Sequence, residues 1–218
     1  MLIGFIRHAQ TEWNVQGRLQ GRSDIPLNAQ GIAAASAQAM PCDLPPAKYV
    51  TSPLQRARHT GELLIGKSEN LVCDARLAEM SFGDWEGQVL AQLRLANPKE
   101  VAQRENMGRE FCAPNGETPA QVMERLCDFC DDYAKRETLV IAFSHKAVIR
   151  AAMALATGWN MIGRPPWKLD FQALHMFAFD RENGQYPLQA VGLDIALDGG
   201  ASFATLSNNM SKDHRIWA

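Results

Sequence analysis

Residues 1–8 read MLIGFIRH, so an unbroken apolar run stops abruptly at an arginine beside a histidine. The run is short, rich in Ile and Phe, and without helical periodicity, which predicts a buried strand. Open α/β sheets bind their ligands at the carboxyl ends of the strands, and Arg7 and His8 would stand at such an end. For an isolated Arg-His pair a solvated strand end is favoured over a ligand site, so the rest of the sequence is needed to distinguish the two interpretations.

The composition is that of an ordinary globular chain. Of the 218 residues, 46% are hydrophobic and 21% are charged, and the formal net charge is −2. This balance argues against a general nucleic-acid or membrane-surface binder, so a basic cluster is expected to be local and to serve a small anion. No apolar run approaches the roughly 20 residues that span a bilayer, and the N-terminal run is too short for a signal peptide. A cytoplasmic protein without membrane or nucleic-acid partners is expected.

The five cysteines do not predict a disulfide framework, because their number is odd and their spacing irregular. Cys127 and Cys130 form a CxxC pair, but the pair lies in a strongly helical segment and no second pair accompanies it. Cys130 falls on the apolar stripe of that helix, where a free cysteine packs as a small hydrophobe. A core role is therefore favoured over metal or redox chemistry.

Strand-like and helix-like segments alternate along the chain, which favours an α/β architecture. Strands are predicted at residues 1–6, 47–51, 69–74, 138–143, 173–179 and 188–197, the third and the last two near the edges of the sheet. Helices are predicted after the N-cap Asn28, after a capping box that starts at Ser52, over residues 88–108, from Thr118 to about Arg136, and from Ser144 to about Gly158. Residues 9–27 and 76–87 are predicted to be irregular. We therefore expect a single domain over residues 1–218, built as a three-layer sandwich: a mostly parallel central sheet with helices on both faces.

Cationic or imidazole side chains follow three of the predicted strands: Arg7 and His8, then Arg56, then His145 and Lys146. Parallel neighbouring strands would bring these groups together at one edge of the sheet. Arg56 is predicted near the fourth position of its helix, and His145 and Lys146 at the first two of theirs. A positive charge in a first helical turn opposes the macrodipole, at a cost of roughly 0.3–1 kcal/mol when exposed. Such placements are expected where helix N–H groups, guanidinium groups and imidazoles together bind a phosphate.

Five segments, in the same order along the chain, match the signatures of one known family. They are RHAQTEWN (7–14), LQGRSDIPL (19–27), SPLQRA (52–57), LAEMSFGDWEG (77–87) and SH (144–145). The chain thus resembles the histidine phosphatase superfamily, which includes the cofactor-dependent phosphoglycerate mutases. The form of residues 82–87 resembles the phosphatase branch, and the longer basic, proline-rich insertion of the mutases is missing. The last sixty residues carry no diagnostic motif.

The resemblance implies a histidine acid phosphatase-like phosphomonoesterase that hydrolyses a small phosphorylated metabolite through a phosphohistidine. His8 would be the nucleophile, and Glu79 the general acid that protonates the leaving oxygen and then activates water. The catalytic set would be His8, Glu79 and His145, and the phosphate-binding set Arg7, Asn14, Arg56 and His145. No metal and no other cofactor is implied. The expected partner is the substrate, and a homodimer is left open.

Two alternatives and two departures from the family pattern stay open. The chain would also suit a cofactor-dependent phosphoglycerate-type mutase, or a catalytically weak phosphate-binding or regulatory protein. Ala9 and Lys146 stand where the family usually has glycine after each motif histidine. Lys146 adds a long cation beside the phosphate-binding groups. It would either contact a second anionic group of the substrate or point into solvent.

Overall fold

The N-terminal apolar run forms strand β1 (Leu2–Arg7), an interior strand of a six-stranded sheet. The computed structural model describes residues 1–66, 70–180 and 187–200. The other strands are β2 (Lys48–Thr51), β3 (Val72–Cys73), β4 (Leu139–Ser144), β5 (Leu174–Phe179) and β6 (Leu188–Ile195). Their order in the sheet is β3-β2-β4-β1-β5-β6. Residue 69, the predicted start of β3, lies outside the described residues.

The sheet is mostly parallel, as predicted. Strands β1, β2, β3 and β4 run in one direction, β5 pairs antiparallel with β1, and β6 pairs antiparallel with β5 and so runs in the direction of β1. The predicted edge position is correct for β3 and β6 but wrong for β5, which pairs with both β1 and β6. In the parallel pair β1–β4, Arg7 lies opposite Ser144, and His8 N donates to Ser144 O at 3.0 Å. This register brings His8 and His145 to the same end of neighbouring strands.

Seven α-helices lie in the part of the chain that the structure describes. They are α1 (Glu12–Val15), α2 (Ala29–Ala37), α3 (Gln55–Ile65), α4 (Leu90–Ala96), α5 (Pro98–Glu105), α6 (Pro119–Ala134) and α7 (Lys146–Thr157). The short helix α1 corrects the prediction of an irregular stretch, because Thr11 and Asn14 form a reciprocal capping box around it. Within the described ranges, no helix is long and apolar enough to cross a bilayer.

Helix α3 begins later than predicted. Its first residue is Gln55 and its N-cap is Leu54, so Ser52 does not cap it and Arg56 is the second helical residue rather than the fourth. The Ser52 hydroxyl is used elsewhere: Ser52 Oγ accepts Leu54 N–H at 3.2 Å and lies 2.7 Å from His145 Nε2. The predicted capping box is wrong because this hydroxyl serves the neighbouring strand end.

Helix α7 also begins one residue later than predicted. Its N-cap is His145 and its first residue is Lys146, whereas Ser144 is the last residue of β4. The buried Ser144 Oγ donates to Leu77 O at 2.7 Å, which explains why it does not cap the helix. The site histidine is therefore a backbone N-cap with no side-chain capping bond.

Alternate side chains of the central strands enter two cores, one on each face of the sheet. Ile3 and Phe5 of β1 belong to the core that contains α6 and α7, and Ile6 belongs to the core that Leu64 of α3 packs against. Cys130 is fully buried in the first core, as its place on the apolar stripe predicts. The three-layer α/β sandwich is confirmed.

Candidate active site

A cleft of about 860 Å³ lies where the chain leaves β1, β2 and β4. Five of the six predicted site residues line it: Arg7, His8, Asn14, Arg56 and Glu79. The sixth, His145, is fully buried behind this wall, and its ring centroid lies 5.2 Å from that of His8. Residues that are far apart in the sequence are thus brought together at one end of the sheet.

The His8 ring is held in one orientation by the backbone. Its Nδ1 lies 2.7 Å from Ala9 O, so Nδ1 carries the proton and the lone pair is on Nε2. Ala9 N in turn donates to Thr60 Oγ1 at 3.0 Å. Burial, and then the charges of Arg7 and Arg56, hold the pKa of His8 well below its usual value. The imidazole is therefore neutral and nucleophilic at neutral pH.

Ala9, which replaces the usual family glycine, causes no backbone strain. It is not among the described residues that have a positive φ, so the backbone here does not require glycine. The side chain of Thr60, on α3, holds this position by accepting Ala9 N–H and donating to Arg56 O at 2.7 Å. This link between α3 and the residues that follow β1 was not visible in the sequence, because Thr60 lies outside the recognised motifs.

Among the described residues, only one of the two ring nitrogens of His145 has a hydrogen-bond partner. Its Nε2 lies 2.7 Å from Ser52 Oγ, and its buried Nδ1 has no hydrogen-bond partner in the described part of the chain. Ser52 Oγ already accepts Leu54 N–H, so its own proton is available to His145 Nε2, which places the imidazole proton on Nδ1. Burial, followed by the nearby His8 and Arg56, holds the pKa of His145 well below its usual value.

Arg7 and Arg56 place unpaired donors in the site. Arg56 is fully buried, and its two terminal nitrogens donate to Ser23 O and Gly21 O, each at 2.8 Å. The buried Nε atoms of Arg7 and Arg56 have no partner among the described residues. Burial lowers the pKa of both guanidinium groups, yet arginine stays charged in proteins. Buried cationic donors without acceptors are the arrangement expected around a bound anion.

A loop holds Arg56 in place, and Glu86 holds the loop. Glu86 accepts hydrogen bonds from Arg22 N and Ser23 N, both at 2.8 Å, and from Ser23 Oγ at 2.6 Å. Although burial opposes ionisation, the hydrogen bonds from Ser23 and its neighbours lower the pKa of Glu86. Gly21 has φ +52°, and a Cβ there would lie 2.0 Å from Glu86 Oε1. Gly21 and Glu86 both fall inside recognised motifs, but the sequence does not show that Glu86 contacts the loop that contains Gly21.

Glu79 has the environment that a general acid requires. The residue is 7% exposed, and its Oε1 accepts Met80 N–H at 2.9 Å and Ala147 N–H at 3.2 Å. Burial raises its pKa, although the Met80 hydrogen bond and the charges of Arg56 and Arg7 act in the opposite direction. The carboxyl therefore keeps its proton to a higher pH than a solvated glutamate.

Asn14 and Lys146 complete the wall of the cleft. Asn14 Oδ1 accepts Thr11 N–H at 3.1 Å, so its Nδ2 donors are the part of the amide left for a ligand. Lys146 lines the cleft, and its Nζ lies 5.3 Å from the ring centroid of Phe171. Across the described ranges, no three His, Cys, Asp or Glu side chains are grouped so that they could hold a metal ion.

Comparison with known proteins assigns the family. The sequence model of the histidine phosphatase superfamily (branch 1) matches residues 3–191. The uncharacterised phosphatase PhoE of Bacillus subtilis (strain 168) is 30% identical over 166 residues, which cover 72% of this chain and 77% of PhoE. Phosphoserine phosphatase 1 of Hydrogenobacter thermophilus is 27% identical over 160 residues, which cover 72% and 76% of the two chains. The crystal structure of the α-ribazole phosphatase from Shigella flexneri superposes with a TM-score of 0.70 at 22% identity, covering 93% of this chain and 98% of that one. Other matching proteins are named as phosphoglycerate mutases. The chain therefore belongs to branch 1 of the histidine phosphatase superfamily.

Proposed function

We propose that the protein is a phosphomonoester hydrolase that transfers the phosphoryl group of a small metabolite to His8 Nε2 and then to water. One observation carries the proposal: the Nδ1 proton of His8 is bonded to Ala9 O at 2.7 Å, which leaves the Nε2 lone pair for attack. The unpartnered Nε atoms of Arg7 and Arg56 supply positive donors in the same site. The names of the matching phosphatases support the same reaction class.

In the first step, the bond from His8 Nε2 to phosphorus forms while the bond to the ester oxygen breaks. Glu79 gives its proton to that oxygen, so the alcohol leaves uncharged. Arg7, Arg56, Asn14 Nδ2 and His145 Nδ1 donate to the non-bridging oxygens, and fixed donors of this kind stabilise the charge that develops there.

In the second step, the Glu79 carboxylate takes a proton from water. The oxygen of that water bonds to phosphorus, the bond to His8 Nε2 breaks, and phosphate leaves with Glu79 protonated again. The two steps replace one difficult displacement with two easier ones. They need a nucleophile that is neutral and an acid that holds its proton, and the opposite pKa shifts of His8 and Glu79 meet both requirements.

The test is to trap the intermediate. Rapid acid-free quenching of the enzyme during turnover of a ³²P-labelled ester is expected to leave a base-stable, acid-labile adduct on His8. His8→Ala should lose both the adduct and turnover. His59→Ala, a histidine replacement on α3 outside the cleft, should keep both. Normal turnover by His8→Ala would exclude the mechanism.

The mutase alternative shares the phosphohistidine and is favoured by the relatives named as phosphoglycerate mutases, which overlap 57% to 76% of this chain. The two reactions differ in the acceptor, which is water for the hydrolase and a second substrate hydroxyl for the mutase. Incubation with 3-phosphoglycerate and a 2,3-bisphosphoglycerate primer separates them. The hydrolase releases inorganic phosphate, whereas the mutase yields 2-phosphoglycerate. Turnover of either kind excludes the weak phosphate-binding protein.

We also propose that the reaction needs no metal and takes place in the cytoplasm. Arg7 and Arg56 already supply the positive charge that a metal would supply in phosphoryl transfer. All five cysteines lie within the described residues and none of them forms a disulfide bond, which suits a reducing compartment.

A further inference from the structure

Two cations of α7 line the cleft beyond the groups that bind the phosphate. Lys146 and Arg150 are the first and fifth residues of the helix, so they lie one turn apart on the same face. In the part of the chain that the structure describes, neither forms a salt bridge. Lys146 Nζ lies 5.3 Å from the ring centroid of Phe171, and Arg150 Cζ lies 5.0 Å from that of Trp159. Aromatic faces therefore position both cations without neutralising them.

Other cations on the cleft wall are already engaged. Arg94 is paired with Glu105, at 2.6 Å between Nη2 and Oε1, and Arg18 donates to Gly87 O at 2.7 Å. Lys146 and Arg150 have no salt-bridge partner of this kind in the described part of the chain, although the charge of Glu79 acts favourably on Lys146. Burial, followed by the charges of Arg7 and Arg150, lowers the pKa of Lys146, so its ammonium is disfavoured in the free protein. A bound anion would relieve this repulsion.

The position of the general acid shows which part of the substrate reaches these cations. Ala147 N, the second helical amide of α7, donates to Glu79 Oε1 at 3.2 Å, so the acid lies at the start of this helix, beside Lys146. The ester oxygen must lie at Glu79 to receive its proton. The leaving group therefore meets Lys146 first and Arg150 about 6 Å farther along the helix axis.

We infer that Lys146 and Arg150 form a second anion subsite, which selects phosphate monoesters that carry a carboxylate or a second phosphate on the leaving group, a few bonds from the ester oxygen. The inference rests on the proposed hydrolase for the direction of the leaving group. It goes beyond that proposal because it names the substrate class. Lys146, which stands where the family usually has glycine, would be the residue that sets this preference in this chain.

The test measures binding, so that it does not depend on turnover. In the His8→Ala background, calorimetry compares 3-phosphoglycerate with glycerol 3-phosphate, which differ only in a carboxylate against a hydroxymethyl group. Fructose 1,6-bisphosphate and fructose 6-phosphate make the corresponding comparison for a second phosphate. The unmodified subsite is expected to favour the more anionic member of at least one pair by tenfold or more, and the pair that shows the preference identifies the anion.

Lys146→Gln is expected to reduce that preference about tenfold, Lys146→Glu to abolish it, and Lys146→Arg to retain most of it. Lys99→Gln removes the same charge from exposed α5, outside the cleft, and should leave the preference unchanged. Equal weakening of both members of a pair by Lys146→Gln would assign Lys146 to the phosphate groups and overturn the inference, as would no change at all. Turnover by the chain with His8 intact is read separately, so failure of the hydrolase and failure of the subsite are distinguishable.

Discussion

Glu79 and Glu86 stand seven positions apart, and their carboxyl groups are perturbed in opposite directions. Burial raises the pKa of Glu79, which lines the cleft. Burial also opposes ionisation of Glu86, but hydrogen bonds from Ser23 and from nearby backbone amides outweigh it and lower that pKa. In the proposed mechanism the proton donor is therefore Glu79, whereas Glu86 holds the loop that carries the Arg56 contacts.

The raised pKa of Glu79 predicts the alkaline side of the pH profile. Only the protonated carboxyl can donate, so kcat/KM for alkyl phosphates should fall as pH rises through a value above the ordinary glutamate pKa of 4.5. His8 must be neutral, and its lowered pKa puts the acid side of the profile well below pH 6.5.

Glu79→Gln should slow the hydrolysis of alkyl esters by about 10²–10⁴-fold and remove the alkaline limb of the pH profile. For p-nitrophenyl phosphate, whose leaving group needs no proton, kcat/KM should be largely spared, because it reports only the transfer of the phosphoryl group to His8. Equal loss on both esters would mean that Glu79 does not act as the acid.

Gly21 predicts a second effect at the scale of one residue. Gly21→Ala introduces a Cβ 2.0 Å from Glu86 Oε1 at a φ of +52°, so the carbonyl groups that hold Arg56 must shift. We expect KM for all phosphate esters to rise and the free energy of unfolding to fall by about 1–3 kcal/mol. Gly199→Ala is the matched control, since Gly199 has φ +74°, its nearest contact to a Cβ is 3.4 Å away, and it lies outside the cleft. Gly199→Ala should lower the free energy of unfolding without changing KM. Equal KM values in the two variants would contradict the role of the loop.

At the scale of elements, helix α3 shows what its own sequence can and cannot predict. A helix after β2 was predictable from the SPLQ segment, but its cap was not. Asp24 Oδ1 accepts Gln55 N–H at 2.8 Å, from a loop 31 positions earlier, and Ser52 serves His145 instead. Capping rules read nearby residues, so a partner supplied by another loop escapes them.

Some parts of the site could likewise be predicted from the sequence, and others could not. His8, Glu79 and their companions could be located because each belongs to a short motif that resembles a known family. The central strands could be located because both of their faces are buried, which leaves short, continuous apolar runs in the sequence. The contact of Thr60 with Ala9 N could not, because Thr60 lies outside the motifs, and the contacts of Glu86 with the loop at 21–23 could not, because they join two different motifs. Helix α1 was missed because it has only four residues, too few for a periodic pattern.

Helix capping gives a prediction at this scale. Asp24→Ala removes the acceptor at the start of α3, the helix that carries Arg56, and Thr118→Ala removes the cap of α6, which carries none of the six predicted site residues. Each should cost about 0.5–2 kcal/mol of stability, or a few degrees in Tm for a chain of this size. Only Asp24→Ala should also raise KM for phosphate esters. Denaturation curves and steady-state kinetics on both variants check this, and an equal KM effect would show that α3 does not position Arg56 independently.

At the scale of the whole molecule, the charge is small and negative while the cleft is cationic. The chain carries a formal net charge of −2, yet Arg7, Arg56, Lys146 and Arg150 all line the cleft. Substrate attraction should therefore arise locally and be screened by salt, with a Debye length of about 10 Å at 0.1 M. We expect kcat/KM to fall several-fold between 20 mM and 500 mM NaCl, with little change in kcat. A kcat/KM that does not vary with salt would contradict this.

Independence from metal is a further prediction for the intact enzyme. Dialysis against EDTA should leave kcat unchanged, because the guanidinium groups of Arg7 and Arg56 neutralise the transferred phosphoryl group. Added Mg²⁺ should not raise the rate and should lower it where it chelates the substrate. Loss of activity on dialysis, restored by a divalent cation, would show that a metal shares this task.

Strand β1 lies between β4 and β5 in the sheet, so its two edges cannot both be paired until these later strands have been synthesised. The strand leaves the ribosome well before its neighbours β4 and β5, which begin only at residues 139 and 174. At translation rates of about 5–20 residues per second, the nascent β1 waits on the order of ten seconds with both edges unpaired. Unpaired apolar strands are prone to aggregation, so the growing chain should be a client of chaperones during that interval. A truncated product that ends before residue 139 would carry the nucleophile but neither strand that positions it, so premature termination should yield inert protein rather than an unselective phosphatase.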